Sequence, residues 1–186
     1  MPFEIRRARA SDHSRIMEVM PGWWNGRDLR AMLPRLFLVH FNDTSLIAED
    51  GGELAGFLVG FLSPARPDEG YVHFVGVHPS HRGKGLAREL YARFFDLCVR
   101  NGRSRVRACT SPVNRASIDF HRRLGFTLEA GDAEDCGVPV TLDYNRPGDA
   151  KVLFVRSLQS AGPYDRSARS QGSPSNRGGI HGQGRD

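Results

Sequence analysis

The sequence predicts a mixed α/β fold, with helices packed on both faces of a twisted sheet. Three observations predict it. Apolar periodicities run in the order strand, two helices, three strands, helix, strand, helix, strands. Between Leu86 and Val99, the residues Leu86, Leu90, Phe94, Leu97 and Cys98 recur at helical spacing and form one apolar face. The third is a glycine-rich turn, Arg82-Gly83-Lys84-Gly85-Leu86-Ala87, lying between the apolar run Val72 to Val77 and that helix.

The elements follow in order. Phe3 to Ala8 alternates as a strand, and Ser11 and Asp12 are capping residues for a helix through Met20, with Pro21-Gly22 as its expected stop. A second helix is expected from about Asp28 to Val39, interrupted near Pro34. Thr44 to Glu49 and Glu53 to Leu62 read as strands joined at the hairpin signal Asp50-Gly51-Gly52. Gly70 to Val77 is a further strand that Pro79 ends. After the helix closed by Asn101-Gly102 come a strand at Arg105 to Cys109 and a short helix from Asn114 to Leu124. Strand-like pieces follow at Phe126 to Glu129, Val138 to Leu142 and Val152 to Arg156.

With 186 residues and 39% hydrophobic content, the chain can build one core. Residues 1–158 carry the periodic pattern. Residues 159–186 are mostly Gly, Ser, Arg, Gln and Asn and are expected to form a disordered tail, because they hold too little apolar surface to offset ordering entropy. The net charge of +5 comes from arginines spread along the chain, which suits a polyanionic ligand better than nucleic acid. Cys98, Cys109 and Cys136 form neither a metal-ligand pattern nor an even disulfide set, so no metal is expected and a reducing cytoplasm fits. The N-terminal residues lack an apolar signal region and no apolar run has the length of a membrane span.

A glycine turn opening a helix is the geometry that cradles phosphates on backbone N–H groups. No nucleotide P-loop string is present, and position 88 is Arg where the dinucleotide fingerprint needs Gly. The longer string Val75-Gly76-Val77-His78-Pro79-Ser80-His81-Arg82-Gly83-Lys84-Gly85-Leu86-Ala87 resembles the acetyl-CoA signature of the GNAT N-acetyltransferase superfamily, with Arg82, Gly85 and Ala87 in its fixed places. Downstream, Asn114 through Gly125-Phe126 resembles the superfamily's second motif, with His121 where most members place tyrosine. The resemblance covers roughly Phe3 to Leu158 and implies a GNAT-type sheet, mixed but mostly antiparallel.

It also implies acetyl-CoA as acyl donor. Val75, Gly76 and Val77 would pair through main chain with the pantetheine arm, and Arg82, Gly83, Lys84, Gly85, Leu86 and Ala87 would hold the pyrophosphate. Lys84 is either a phosphate ligand or a solvated side chain. Gly76 suits a bulge or close backbone approach, or merely packing economy. Asn114 either contacts the cofactor or only caps its helix.

An alkylamine must lose a proton before it attacks a thioester, and a histidine titrates in the right range. His73 is the candidate base. Simple alternation puts it on one strand face with Tyr71, Val75 and Val77; the competing reading is a structural strand histidine. His121 either acts as the acid toward the leaving thiolate, positions the cofactor, or is structural. Cys109 lies near the end of the neighbouring strand, but the resemblance implies direct transfer without an acetyl-cysteine. Trp23 and Trp24 either wall the acceptor pocket or anchor the core.

The expected activity is acetyl transfer from acetyl-CoA to a primary amine of a small molecule or amino acid. The alternatives are acetylation of a protein N-terminus or lysine, and a non-catalytic acyl-CoA sensor. A small-molecule amine is the expected partner, with no nucleic acid or membrane; a homodimer is left open.

Overall fold

The computed structural model describes residues 3–24 and 26–158; the expected tail lies outside the described residues. The elements are β1 (Glu4–Arg7), α1 (Asp12–Trp23), α2 (Leu36–His40), β2 (Leu46–Asp50), β3 (Glu53–Leu62), β4 (Glu69–Val77), α3 (Leu86–Arg100), β5 (Arg105–Thr110), α4 (Arg115–Arg123), β6 (Thr127–Leu128), β7 (Ala133–Asp135), β8 (Val138–Val140) and β9 (Val152–Ser157). Seven strands form one sheet in the order β1-β2-β3-β4-β5-β9-β6. Its pairs are antiparallel except β4 with β5, which is parallel.

Three expectations change. Pro21 and Gly22 do not end α1, which continues to Trp23. Ile16, Met20 and Trp23 form one buried stripe, and a proline in the last turn removes only one hydrogen bond from the ladder. The segment from Asp28 to Val39 is a 3₁₀ turn at Arg30–Met32 followed by α2, because Pro34 lacks the N–H a continuous helix needs. Val138–Val140 is shorter than expected and closes a separate hairpin on β7, which the pattern did not foretell. The Asp50-Gly51-Gly52 turn joins β2 to β3 as expected, with both glycines at positive φ, 59° and 88°.

The sheet divides the core. On one face α3 and α4 bury Leu86, Leu90, Tyr91, Phe94 and Ile118 against Leu58, Val72, Val106 and Phe154. On the other, α1 and α2 bury Ile16, Met20, Trp23 and Leu38 against Ile47, Phe57, Val59 and Phe74. Each such large side chain contributes about 1.5–3 kcal/mol when fully buried. Glycines let α3 lie close: a Cβ at Gly60 would sit 2.6 Å from the Phe94 ring, and one at Gly70 would sit 2.5 Å from Cys98 Sγ.

A charge network ties β1, α1 and β2 together. Asp12, 3% exposed, accepts hydrogen bonds from both terminal Arg6 nitrogens at 2.9 and 2.8 Å and from the Arg9 N–H at 2.7 Å. Glu49 accepts from Arg6 and, at 2.6 Å, from Arg15. Burial pushes the Asp12 carboxyl up, but the Arg6 guanidinium, the Arg9 N–H and Arg15 outweigh it, leaving it below its ordinary value. Arg6 and Arg15 hold Glu49 down likewise. Among the described residues no helix is long and apolar enough to cross a membrane.

Gly60→Ala will destabilise the fold by about 1–3 kcal/mol through overpacking against Phe94, read as a lower denaturant midpoint. Asp12→Asn will cost about 1.5–3 kcal/mol near neutral pH. Both carboxylates have lowered folded pKa values, so their contribution is present above the ordinary values of 3.8 and 4.5 and is lost as pH falls through the lower folded ones. The gap between wild type and Asp12→Asn, measured by urea titration, should therefore shrink below those values.

Candidate active site

The site begins where two strands part. β4 pairs with β5 only over Glu69–Tyr71 against Arg105–Arg107. Beyond Tyr71, β4 runs on to Val77 with its β5-facing edge unpaired, while β5 follows β9. An ion-paired chain sits at the closed end: Arg107 Nε lies 2.8 Å from the buried Glu69 carboxylate and the same guanidinium bonds Glu129. The gap opens into a cavity of about 290 Å³. Tyr91, Asn114, Ser117 and His121 line it from α3 and α4; Trp24, Arg27, Leu29 and Met32 line it from the connection after α1.

At the end of β4 the chain makes the glycine turn. His78 Nδ1 accepts the Ser80 N–H and lies 2.7 Å from the Ser80 hydroxyl, capping a short 3₁₀ turn. Gly83 and Gly85 have φ of 74° and 85°, and a Cβ on either would meet nothing within 4 Å. Backbone conformation, not packing, demands glycine here. Gly85 is the N-cap of α3 and provides no side-chain cap, so the first-turn N–H groups are presented to solvent at the positive end of a 15-residue helix. The turn can receive an anion, and the free β4 edge can receive an extended amide chain.

The other expected cofactor residues sort by contact. The Arg82 guanidinium donates to the Trp23 carbonyl and, at 3.2 Å, to the Val77 carbonyl. It straps the C-terminus of α1 to the turn, instead of standing free for a phosphate as expected. Lys84 is exposed. Leu86 packs into the core, so its backbone is what it offers the turn. Gly76 is not a bulge; it makes room for packing, since a Cβ there would lie 2.6 Å from the Trp24 ring and 2.7 Å from Phe57, while its backbone lies on the free stretch of β4. Asn114 caps α4, accepting the Ser117 N–H at 3.3 Å, and still faces the cavity.

The bulge in β4 falls at His73. Val59 pairs with Phe74 and Gly60 with Val72, leaving His73 as the extra residue. This overturns the expected alternation for Val75 and Val77, while Tyr71 and His73 share a face as expected. Val75 and Val77 pack on the α3 side. His73 instead stacks on Phe37 of α2, with centroids 4.0 Å apart. Tyr71 stacks on Phe61, which itself packs against Phe37. The His73 Nε2 atom lies 2.7 Å from the Met32 carbonyl. A carbonyl only accepts, so Nε2 carries the proton and Nδ1 is the free acceptor. Burial pulls this imidazole below its usual range, against the opposing effect of the Met32 carbonyl.

His121 has the opposite tautomer. Its Nδ1 donates to the Ser117 carbonyl at 2.8 Å, and its Nε2 accepts the Tyr91 hydroxyl at 2.8 Å. The ring is 3% exposed and stacks on Phe154 at 4.4 Å. Burial lowers its pKa despite the Ser117 contact. With both nitrogens engaged and the neutral form favoured, it is poorly suited to be the acid and well suited to hold Tyr91. Tyr91 is one of the cavity residues that the sequence pattern did not single out, as is Arg27. The only signal for Tyr91 was a tyrosine within an apolar helix face, whose buried hydroxyl requires a partner.

The two tryptophans divide. Trp23 is 4% exposed, stacks on Phe57 and anchors the core; it does not line this cavity. Trp24, one residue on, walls the cavity. Burial pushes the Tyr71 phenol and the Cys109 thiol up, so Cys109 stays a thiol.

The profile of the acetyltransferase (GNAT) family matches residues 13–126. The chain belongs to the GNAT acetyltransferase family. Among its relatives, the L-2,4-diaminobutyric acid acetyltransferase of Nocardia farcinica is 34% identical over 102 residues, 53% of each chain. The L-methionine sulfoximine/L-methionine sulfone acetyltransferase of Salmonella typhimurium is 37% identical over 89 residues, 46% of this chain and 51% of that one. The chain thus spans about half the length of the curated relatives it matches. In three dimensions it resembles the diaminobutyrate acetyltransferase of Paenibacillus lautus, solved with its substrate and coenzyme A, at a TM-score of 0.61 and 26% identity, covering 84% of this chain and 95% of that one. The family's mostly antiparallel sheet with flanking helices is the fold found here.

His121 should keep its Nδ1–H tautomer and titrate below the ordinary 6.5 in long-range ¹H–¹⁵N spectra. Because its folded pKa is lowered, the stability it contributes is present above 6.5 and is lost as pH falls through the folded value. Tyr91→Phe leaves Nε2 unpaired in the core and should cost about 1–3 kcal/mol, measured by thermal or urea unfolding.

Proposed function

We propose that this chain transfers an acetyl group from acetyl-CoA to the primary amine of an amino acid or similar small molecule, directly and without an acetyl-enzyme. The observation that carries this reading is the parting of β4 from β5 directly before an open glycine turn, with imidazoles lining the gap from both faces of the sheet. The residues suit coenzyme A. The N–H groups around Gly83 to Ala87 fit a pyrophosphate, and the unpaired Val72 to Val77 edge fits the pantetheine amides. Bound acetyl-CoA supplies a thioester carbonyl and a thiolate leaving group.

The chain's own groups then divide the work. His73 Nδ1, neutral near pH 7, accepts the proton of the amine, directly or through water. A backbone N–H of the free β4 edge stabilises charge developing on the carbonyl oxygen. The Tyr91 hydroxyl gives its single proton to His121 Nε2, so this pair shapes the cavity wall and the departing thiolate takes its proton from solvent. Trp24 and Tyr71 wall the acceptor side. The amino-acid acetyltransferases among the relatives support a small amino-bearing acceptor, and a cavity of about 290 Å³ supports it over a folded protein surface. The three free thiols, Cys98, Cys109 and Cys136, support a cytoplasmic setting.

Calorimetry should give acetyl-CoA binding at sub-millimolar levels, and a thiol-release assay over an amine panel should give turnover with amino acids. Absence of binding would sink the reading. His73→Gln should lower kcat by about 10²–10⁴-fold. In the wild type, kcat/KM should drop as pH falls through the lowered His73 value, and a variant with an unchanged acid limb would remove His73 from the base role.

A further inference from the structure

The cavity is asymmetric in charge. Among the described residues lining it there is no aspartate or glutamate, while two fixed cations, Arg27 and Lys151, are present. Lys151 is already ion-paired with Asp149, its side chain 12% exposed. Arg27 is different. It is exposed, lies in the connection after α1 beside Trp24 and Leu29, and its side chain makes no ion pair or hydrogen bond among the described residues.

We propose that Arg27 binds the carboxylate of the acceptor, so that the site selects amines bearing a carboxylate, α-amino acids above all, over amines that are cations only. This deepens the acetyl-transfer reading and rests on it. A guanidinium fork matches a carboxylate with two parallel N–H···O bonds. A polyamine or aminoglycoside would bring positive charge to a cavity wall with no anion to receive it, whereas the carboxylate of an amino acid neutralises Arg27. The same connection is pinned to the candidate base: His73 donates to the Met32 carbonyl at 2.7 Å. The carboxylate anchor and the proton acceptor thereby line one cavity.

The test compares each proteinogenic L-amino acid and L-2,4-diaminobutyrate with its carboxamide and its decarboxylated amine, at saturating acetyl-CoA. Wild type should prefer the acids by about 10–100-fold in kcat/KM, the range expected for a charge-assisted pair. Arg27→Met should collapse that acid-over-amide ratio toward one, mainly through KM, and Arg27→Lys should restore part of it. Equal use of acids and amides by wild type, or an unchanged ratio in Arg27→Met, overturns the proposal. Should no amine turn over although acetyl-CoA binds, the transferase reading fails separately. The Arg27 assignment is then decided by calorimetry of the same amino acids against the protein–CoA complex. Binding lost in Arg27→Met upholds it; binding that is absent in wild type or equal in both proteins overturns it.

Discussion

The short pairing between β4 and β5 organises most of what this protein can do. Three residues of each strand pair in parallel, and β4 then continues with one backbone edge bare. A bare edge inside a sheet is costly unless something pairs with it, since buried backbone groups need partners. The fold turns that cost into a binding surface for an amide-bearing arm. The ion-paired Glu69, Arg107 and Glu129 lock the strands on one side of the parting point, and the glycine turn lies at the far end of β4. Because the opening runs through the sheet, residues of both faces line it: those of α3 and α4 on one side, those of the connection after α1 on the other.

On these two faces the same residue type is given different chemistry by one hydrogen bond each. His73 and His121 both bind a backbone carbonyl, but through opposite nitrogens. The remaining nitrogen of His73 is an acceptor without a partner among the described residues. That of His121 is filled by the Tyr91 hydroxyl. Both rings are held neutral by burial, so the distinction is one of access and not of charge. Arg82 shows the same principle: a residue whose type suits a phosphate is occupied by the carbonyl end of α1, where a cation is also favoured.

Much of the fold was legible because its signals are local. The Gly51-Gly52 hairpin, the spacing of Leu86, Leu90 and Phe94, the Asn114 cap and the glycines at 83 and 85 each depend on a few neighbouring residues and their backbone preferences. The element order and the family resemblance followed from them. The face of His73 relative to Val75 and Val77 was not legible. It depends on β3, whose Val59 and Gly60 set the register that makes His73 the bulged residue. Simple alternation is a rule for an unbroken ladder, and it fails one residue past a bulge. The split of Trp23 from Trp24 was hidden likewise, since α1 runs through Pro21 only because Ile16, Met20 and Trp23 are buried together.

The sequence alone determined that a strand enters a phosphate-cradling turn and that a helix leaves it, because positive φ at two glycines and an amphipathic period are properties of the local chain. It also narrowed the acyl donor, through the string from Val75 to Ala87. Tertiary structure alone decided which side chains face the opening, which histidine nitrogen is free, and that Tyr91 on α3 meets His121 on α4. These are pairings between residues far apart in sequence, set by strand register and helix packing, and no local preference encodes them.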